Sequence, residues 1–402
     1  MKIMFDHTYS EDLDSIKRQF STEGSILDNI LHHLPKYVDS ADKKAELDDT
    51  MWGDFDLGFL NRMNIPLNLG GLDIAAKAYS RVLIFEEMGR IGPGICISLP
   101  GPGLSMPPVF SLGTLSQQKK FVDDFFTEVE PVWGAFAITE PSCGSDATAI
   151  QCRIQKNNDE YVLDGEKCFV TNGSRAKKLV VFASVAPDKG RFGIRAFVVD
   201  TTLPGVTIDR VENMMGLRPS QLTNFSFTGV RLRSEDMLGH TGKRGPLIDA
   251  FAGAQGAWDY MRPCLAGVIN GSSLAAIIKA ESFIEGDDHN LTSNKKIVLK
   301  NKIAKWKYQL SAARLLTFKA AHKYDRGNSC SLEASMAKAA SSTLSMEIAH
   351  TLYDYLYCSA IGKDSFWERS YRDAKAFDIL EGTGDMQRIM VSQLYQSQVA
   401  RR

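Results

Sequence analysis

The sequence predicts an α+β protein that is mostly helical, with a helical domain, a β-domain and a second helical domain in that order. Apolar residues follow helical spacing up to about residue 125, alternate in short stretches from about Pro131, and return to helical spacing from about residue 245. A chain of 402 residues is also too long for one ordinary core. We therefore expect three domains, over residues 1–128, 129–241 and 242–402.

The N-terminal domain is predicted to be helical by its apolar spacing and its helix-ending signals. Helical spacing covers 26–34, 75–88 and about 114–126. The glycine-rich segment that begins at Gly89 should end the second of these helices, and Thr114 or Ser116 should cap the third. A loop rich in proline and glycine, residues 99–108, lies between those two helices.

The middle domain has the pattern of a small β-barrel or sandwich. Ile150, Cys152 and Ile154 alternate along one face, a polar turn follows at 157–159, and Tyr161 begins the returning strand. That alternation around a turn predicts a β-hairpin. Further short strands are predicted at 132–138, 179–185, 194–200, 205–209 and 222–232.

The C-terminal domain is predicted to consist of long helices. Between residues 301 and 319 the apolar side chains of Ile303, Trp306 and Leu310 share one face, and charged residues occupy the other. Residues 332–356 form a second long helix, rich in alanine and serine, whose small side chains allow close helix packing.

Composition excludes several classes of protein. A formal net charge of −1 gives no long-range attraction to nucleic acid or to an anionic membrane. The N-terminus carries acids where a signal peptide needs an apolar core, and no run of about 18 apolar residues is present, so we expect a cytoplasmic protein without a membrane span. The seven scattered cysteines include no C-x-x-C pair, which favours free thiols and no metal site.

Two short segments carry most of the chemical information. The segment 138–146, Ile-Thr-Glu-Pro-Ser-Cys-Gly-Ser-Asp, follows a predicted strand and is rich in backbone donors that can hold a flat polar cofactor. The segment 380–385, Leu-Glu-Gly-Thr-Gly-Asp, places one carboxylate, Glu381, between an apolar run and a flexible turn, where it can act as a base. These segments and the domain order resemble the acyl-CoA dehydrogenase family over nearly the whole chain. The resemblance implies a C-terminal four-helix bundle and FAD as cofactor.

The resemblance places a flavin along the first strand, its turn and a later segment, Cys-Phe-Val-Thr-Asn at 168–172. Gly144 would permit close backbone approach, and the Ser145 hydroxyl would meet a phosphate or ribityl oxygen. Phe169 stands where the family usually has tryptophan, and would pack on the flavin. The implied cofactor contacts are Phe136, Ile138, Thr139, Gly144, Ser145, Phe169, Thr171 and Thr383.

Glu381 matches the catalytic glutamate of the family. A carboxylate over the α-carbon of a thioester can abstract its proton while a flavin takes hydride from the β-carbon, and burial would raise its pKa towards 7. Hydrogen bonds from the Glu381 backbone N–H and a flavin hydroxyl would stabilise the enolate. The alternative is that Glu381 caps the helix expected at 385–398, although Asp385 can do so equally well.

The implied substrate contacts are Ser145, Arg262 and Gly382. Arg262 matches a buried family arginine near the base, which would hold the Glu381 loop in place or contact the pantetheine arm of the substrate. A solvated arginine at a helix start is the alternative.

Two family motifs that a neighbouring subunit normally donates to the flavin are missing. Acids at 287–288 stand where the family has Arg-x-x-Phe-Gly, and a bulky Tyr357 stands where it has the glycines of Gln-x-x-Gly-Gly-x-Gly. An acid facing a diphosphate is repulsive by about 1 kcal/mol or more. FAD could therefore bind more weakly, a different subunit could supply the missing groups, or the protein could have lost the flavin. The first two alternatives imply a homo- or hetero-oligomer.

Three function classes follow from these features. The first is FAD-dependent α,β-dehydrogenation of an acyl thioester on CoA or a carrier protein, with an electron-transfer flavoprotein or oxygen as acceptor. The second is a family-like flavin monooxygenase, which needs no carboxylate base, and the third is a non-catalytic subunit of a heteromeric complex. The 99–108 loop falls where family members shape the substrate channel, and similar loops occur in members that act on carrier-bound acyl groups.

Overall fold

The computed structural model describes residues 21–158, 160–239, 250–286, 291–360 and 365–399. Within these ranges the predicted order of helices, sheet and helices is confirmed. The helices before the sheet are α1 (Ser21–His33), α2 (Val38–Lys44), α3 (Leu57–Arg62), α4 (Ala78–Ile91), α5 (Pro93–Cys96), α6 (Met106–Leu112) and α7 (Leu115–Val122). The helices after it are α8 (Ala250–Glu285), α9 (Ser293–Asp325), α10 (Ser331–Ala360), α11 (Phe366–Phe377) and α12 (Gly384–Val399).

Local signals account for most of the helix boundaries in the N-terminal part. Thr114 caps α7 as predicted, and Gln117 completes a capping box with it. The glycine-rich segment that begins at Gly89 ends α4 as predicted, since the helix stops at Ile91 and Gly92 is its C-cap. Gly89 itself lies in the last turn of α4 and also serves packing, because a Cβ there would lie 2.4 Å from the carbonyl oxygen of Val268 in α8.

The middle of the chain forms one strongly curled sheet. Its strands are β1 (Trp133–Ala137), β2 (Arg153–Asn157), β3 (Glu160–Val170), β4 (Ala176–Ser184), β5 (Ile194–Asp200), β6 (Val206–Val211) and β7 (Thr223–Arg233). They pair in the order β1-β4-β2-β3-β7-β6, with β5 added beside β4. The predicted hairpin is confirmed as antiparallel β2 and β3, and every other predicted strand is present.

The loop rich in proline and glycine is pinned to the beginning of β1. The amide of Gly101 donates to the carbonyl of Val132 at 2.7 Å, and the amide of Gly134 donates back to Gly101 at 3.1 Å. The last part of the predicted loop is helical, because α6 begins at Met106 with proline at its second position, where a missing N–H costs nothing.

The C-terminal helices form a bundle in which α8, α9 and α10 pack on one another and α12 packs on α10. The predicted apolar face of α9 is confirmed, since Ile303, Trp306 and Leu310 are all buried in the bundle core. In the described part of the chain, α8 is long and apolar enough to cross a membrane, but 72% of its most apolar window is buried against the rest of the protein. That burial is typical of the core helix of a globular protein.

Candidate active site

The turn at 138–146 is held from beneath by a buried ion pair. Lys167 of β3 places its Nζ 2.6 Å from Oε1 of Glu140, and both side chains are almost wholly buried. The carboxylate of Glu140 also accepts the backbone amides of Gln151 and Cys152, at 2.5 and 3.0 Å. The same ammonium group donates to the carbonyl of Ile138 at 2.9 Å. These contacts fix the exit of β1 and engage the carbonyl of Ile138.

The two segments predicted to meet a flavin lie side by side. The amide of Cys168 donates to the carbonyl of Thr139 at 2.9 Å, which joins the end of β1 to the end of β3. Thr139, Ser145 and Thr171 are half-buried or exposed, and none of their hydroxyls has a partner among the described residues. The two segments therefore carry three hydroxyl groups that have no partner among the described residues.

Phe169 lies in a conformation that bulky residues rarely adopt. Its φ angle is +56°, in the left-handed region, and its side chain is 53% exposed. Such a backbone costs about 1–3 kcal/mol, and strained residues of this kind cluster at functional sites. The amide of Phe169 is held at 3.2 Å by the side-chain carbonyl of Asn224 in β7. An exposed aromatic ring held in a strained position is an available platform for a flat ligand.

Gly144 leaves the outer side of the turn open. A Cβ built on it would meet only the Thr139 methyl group, at 3.9 Å. The neighbouring Glu140 and Cys143 close the turn with reciprocal backbone hydrogen bonds of 3.0 and 3.1 Å. Phe136 is half-buried, and its ring lies 5.1 Å from that of Phe182. A planar group can therefore approach the turn from the Gly144 side without displacing any side chain.

The second part of the site is the turn between α11 and α12. Glu381 has φ +53° and Gly382 has φ +93°, so two consecutive residues lie in the left-handed region. Glycine adopts this conformation freely, whereas for Glu381 it is strained. The strained residue is the one that the sequence identified as the base.

Three side chains hold this turn by its carbonyl groups. Arg262 of α8 donates from Nε to the carbonyl of Glu381 at 3.3 Å. Gln387 of α12 donates from Nε2 to the carbonyls of Glu381 and Gly382, both at 3.2 Å. Lys338 of α10 donates from Nζ to the carbonyl of Gly382 at 2.8 Å. The Glu381 backbone is thus fixed while its own amide has no acceptor among the described residues.

The Glu381 carboxylate is poised to exchange a proton. Its Oε2 atom is buried and makes no hydrogen bond within the described residues. Burial raises the pKa of this carboxyl from 4.5 to about 7. The nearby cations of Arg262, Lys338 and Arg81 oppose that rise without abolishing it. A buried oxygen without a partner, on a carboxyl whose pKa lies near neutrality, has the properties of a general base.

Arg262 is buried, as predicted, and is not a solvated arginine at a helix start. Its guanidinium lies 5.5 Å from the ring of Trp258 and has Nη1 3.7 Å from Asp259. That Nη1 makes no hydrogen bond among the described residues. The contact with the Glu381 carbonyl fits the expected role of holding the loop, and the free Nη1 leaves a donor for a ligand.

Thr383 caps the helix for which the sequence suggested Glu381 or Asp385 as the cap. Its Oγ1 accepts the amide of Met386 at 3.3 Å, so Thr383 caps α12. The alternative role of Glu381 as a cap is therefore wrong, and Asp385 pairs with Arg388 at 2.9 Å instead of capping. The Thr383 hydroxyl can still donate its proton, and its contact with a cofactor stays a prediction.

The structure brings the predicted residues together in two groups, one around 138–146 with 168–171 and the other around Glu381 with Arg262. Among the described residues no hydrogen bond or ion pair joins the two groups directly. The acids at 287–288 and the side chain of Tyr357, which replace the donated motifs, lie outside the part of the chain that is described.

Sequence reasoning missed the residues that support both groups. Lys167 and Lys338 are buried lysines whose partners lie 27 and 44 residues away. Gln387 and Arg81 were missed as well. No spacing pattern reports such contacts, because the partners are mostly backbone carbonyls.

Comparison with known proteins shows the family. Models of the N-terminal, middle and C-terminal domains of acyl-CoA dehydrogenase match residues 28–128, 135–230 and 251–395. An acyl-CoA dehydrogenase of Bacillus subtilis is 32% identical over 82% of this chain and 84% of its own length. The mitochondrial short-chain specific acyl-CoA dehydrogenase of Bos taurus is 32% identical over 83% of this chain and 79% of its own length. The solved butyryl-CoA dehydrogenase of Megasphaera elsdenii has a TM-score of 0.77 and 27% identity, covering 96% of this chain and 98% of that one.

The family models and the similar proteins identify an oxidoreductase that acts on CH–CH bonds. The chain belongs to the acyl-CoA dehydrogenase family. Members of this family are flavoproteins, and the expected enzyme class is confirmed.

Proposed function

We propose that this protein is an FAD-dependent α,β-dehydrogenase of acyl thioesters in which Glu381 abstracts the α-proton. One observation carries the proposal: the Glu381 carboxylate is buried, lacks a partner on Oε2, and has its pKa raised to about 7. An unpaired buried polar atom destabilises the fold, so stability does not explain this carboxylate, whereas a role as base does.

The residues of the β-domain fit a flavin. The free hydroxyls of Thr139, Ser145 and Thr171 can meet the polar edge and the ribityl or phosphate oxygens, and Phe169 presents an exposed ring beside them. The open side of Gly144 leaves room for the cofactor backbone. When bound, FAD supplies the two-electron acceptor for the hydride that leaves the β-carbon. The 138–146 turn would then hold the cofactor, and the Glu381 turn would supply the base.

The proton is removed by the Oε2 atom of Glu381. An ionised carboxylate takes the α-proton and becomes neutral, which a buried site favours. The amide of Glu381 has no acceptor among the described residues, so it can donate to the thioester carbonyl as negative charge develops there. Arg262 and Gln387 hold the Glu381 carbonyl and thereby keep this amide and the carboxylate in a fixed relation.

The proposal includes the thioester carrier and the electron acceptor. The substrate is an acyl group attached to CoA or to a carrier protein, and the electrons pass to an electron-transfer flavoprotein or to oxygen. The names of similar proteins point to short acyl-CoA thioesters as the first to test. A panel of CoA-linked and carrier-linked acyl groups, short against long and straight against branched, assigns the substrate by its kcat/KM.

The proposal is tested with Glu381→Gln and the control Asp385→Asn. Asp385 lies four residues further on, is 90% exposed in its side chain, and pairs only with Arg388 among the described residues. Glu381→Gln should retain flavin and bind an acyl thioester, while turnover falls by about 10²–10⁴-fold or more because the base is lost. Asp385→Asn should retain normal turnover.

The pH dependence of wild-type turnover provides a second measure. Since the Glu381 pKa is about 7, kcat/KM should rise with pH up to a plateau above that value. Turnover by Glu381→Gln within tenfold of wild type would exclude the assigned base. Reduction of the flavin by a thioester without oxygen separates a dehydrogenase from an oxygen-activating enzyme and from a non-catalytic subunit.

A further inference from the structure

We propose that Lys338 is a positioning residue for Glu381, whose ammonium group ties together the two ends of the turn that carries the base. This inference rests on the proposed function, since it takes Glu381 as the base. Lys338 belongs to α10 and lies in the interior of the bundle, far along the chain from the turn.

The geometry of the contact encloses Glu381. Lys338 donates from Nζ to the carbonyl of Asp378 at 2.9 Å and to the carbonyl of Gly382 at 2.8 Å. Those two carbonyls flank the turn on either side of Glu381, so a single cation closes it. Loss of the cation would remove one hydrogen bond from each end of the turn at once. The strained backbone of Glu381 would then depend on the contacts from Arg262 and Gln387.

Lys338 is fully buried and forms no ion pair with any carboxylate among the described residues. Lysine is almost never fully buried unless it is paired. Lys167, the other fully buried lysine of this site, is paired with Glu140. A neutral side chain of similar length, such as methionine, would fill the position of Lys338 at lower desolvation cost. The retained charge therefore indicates a role beyond packing.

Lys338 affects Glu381 through its charge in addition to its hydrogen bonds. Burial lowers the pKa of Lys338 to about 8, and the charges of Asp378 and Glu381 oppose that fall. In turn, Lys338 is one of the cations that restrain the raised pKa of Glu381. The two groups stabilise each other in their ionised forms across the turn.

Other charged groups face the same turn from each neighbouring helix. Arg81 from α4 and Arg262 from α8 favour the ionised form of Glu381. Arg388 from α12 and Arg262 disfavour the ionised form of Lys338, while Asp378 in the turn favours it. Arg262 is itself partly neutralised by Asp259 at 3.7 Å. Lys338 is the one of these cations that bonds to both ends of the turn.

The test uses Lys338→Met and Lys338→Arg in the flavin-loaded protein. Lys338→Met removes both the hydrogen bonds and the charge. We expect kcat to fall by about 10–100-fold through misplacement of the base, and the acid limb of the pH profile to move upward by about one pH unit because a nearby cation is lost. KM should change much less, since Lys338 does not contact the substrate.

Lys338→Arg separates charge from geometry. A guanidinium retains the charge but cannot reach the two carbonyls in the same arrangement, so kcat should fall while the acid limb stays in place. The matched control is Lys307→Met, which removes a lysine from α9 that pairs with Glu281 at 2.6 Å on the bundle surface. That control should leave kcat, KM and the pH profile unchanged.

Hydrogen–deuterium exchange of residues 378–384, in protein with and without flavin, gives a readout that does not depend on activity. Lys338→Met should speed exchange in this turn and leave exchange elsewhere in the bundle unchanged. If Lys338→Met does not fold, Lys338→Arg decides the question through the same exchange and kcat measurements. Wild-type exchange and wild-type kcat in the variant that folds would overturn the proposal. An active Glu381→Gln would instead overturn the assignment of the base, and the exchange result would still report on Lys338.

Discussion

Lys167 and Glu140 meet 2.6 Å apart beneath the first strand, and together they fix the turn on which a flavin is expected to rest. The pair connects β3 to the exit of β1, and both side chains are almost wholly buried. Breaking a buried ion pair by neutralising one partner is far more costly than losing an exposed one, because the remaining charge stays buried without compensation.

Glu140→Gln should therefore lower the free energy of unfolding by about 3–5 kcal/mol and should weaken flavin retention. Urea unfolding measures the first effect and visible absorbance the second. The comparison is Glu160→Gln, whose carboxylate lies 3.4 Å from Arg231 in a pair that is exposed on both sides. That change should cost about 0–1 kcal/mol. If the two variants lose equal free energy of unfolding, the buried pair stabilises the fold no more than the exposed one.

Glu381 should destabilise the flavin-free protein in a pH-dependent way. Its folded pKa of about 7 lies above the ordinary 4.5, so the folded state binds the proton more tightly than the unfolded state. The stabilisation from the protonated form is complete below pH 4.5 and is lost as pH rises through 7. Glu381→Gln should thus match wild type near pH 5 and exceed it at pH 8, by about 1–3 kcal/mol. Unfolding curves that coincide at pH 8 would argue against a buried carboxylate.

Gly144→Val should give a folded protein that lacks flavin. The new side chain points into space bounded only by the Thr139 methyl group at 3.9 Å, so the fold accepts it, but it occupies the face from which a cofactor would approach. Far-ultraviolet circular dichroism and flavin content are the measurements. Gly53→Val is the control, because Gly53 lies in the N-terminal domain and a Cβ there meets nothing within 4 Å. A yellow Gly144→Val protein with normal flavin content would place the cofactor elsewhere.

The absence of the donated motifs from the sequence predicts weak retention of the adenine end of FAD. Acids at 287–288 and Tyr357 stand where the family has an arginine and glycines. The isolated chain should lose FAD on dialysis, or should bind one FAD per chain only with a related subunit that supplies those groups. Flavin per chain and mass in solution test this expectation. A tight homo-oligomer with one slowly exchanging FAD per chain would contradict it.

The elements of the fold were predictable where the signal is local. Alternation along 150–154 and the turn after it sufficed for the β2–β3 hairpin, and Thr114 with Gln117 sufficed for the start of α7. The glycine-rich segment from Gly89 sufficed for the end of α4, but not for the packing role of Gly89 itself. That role depends on a contact with Val268, which is distant along the chain. The domain boundaries at 128 and 241 stay predictions.

The chemistry of the site divides in the same way. Glu381 and the 138–146 turn each lie in a short uninterrupted segment, so their residue types could be compared directly with the family motifs. Lys338 acts on carbonyl groups, which every residue possesses, and no sequence pattern marks a carbonyl as its target. The strain at Phe169 and Glu381 is likewise a backbone property that residue identity does not report.

The contact of Gly89 with α8 has a counterpart one turn away. A Cβ on Gly271 would lie 1.9 Å from the carbonyl of Glu86, so α4 and α8 touch backbone to backbone at two places. Helices seated in this way have no side-chain layer in which to slide or tilt. We expect α4 and α8 to move together as one rigid unit. A bulky thioester would then be accommodated by movement of the loops around the site, and not by separation of α4 from α8.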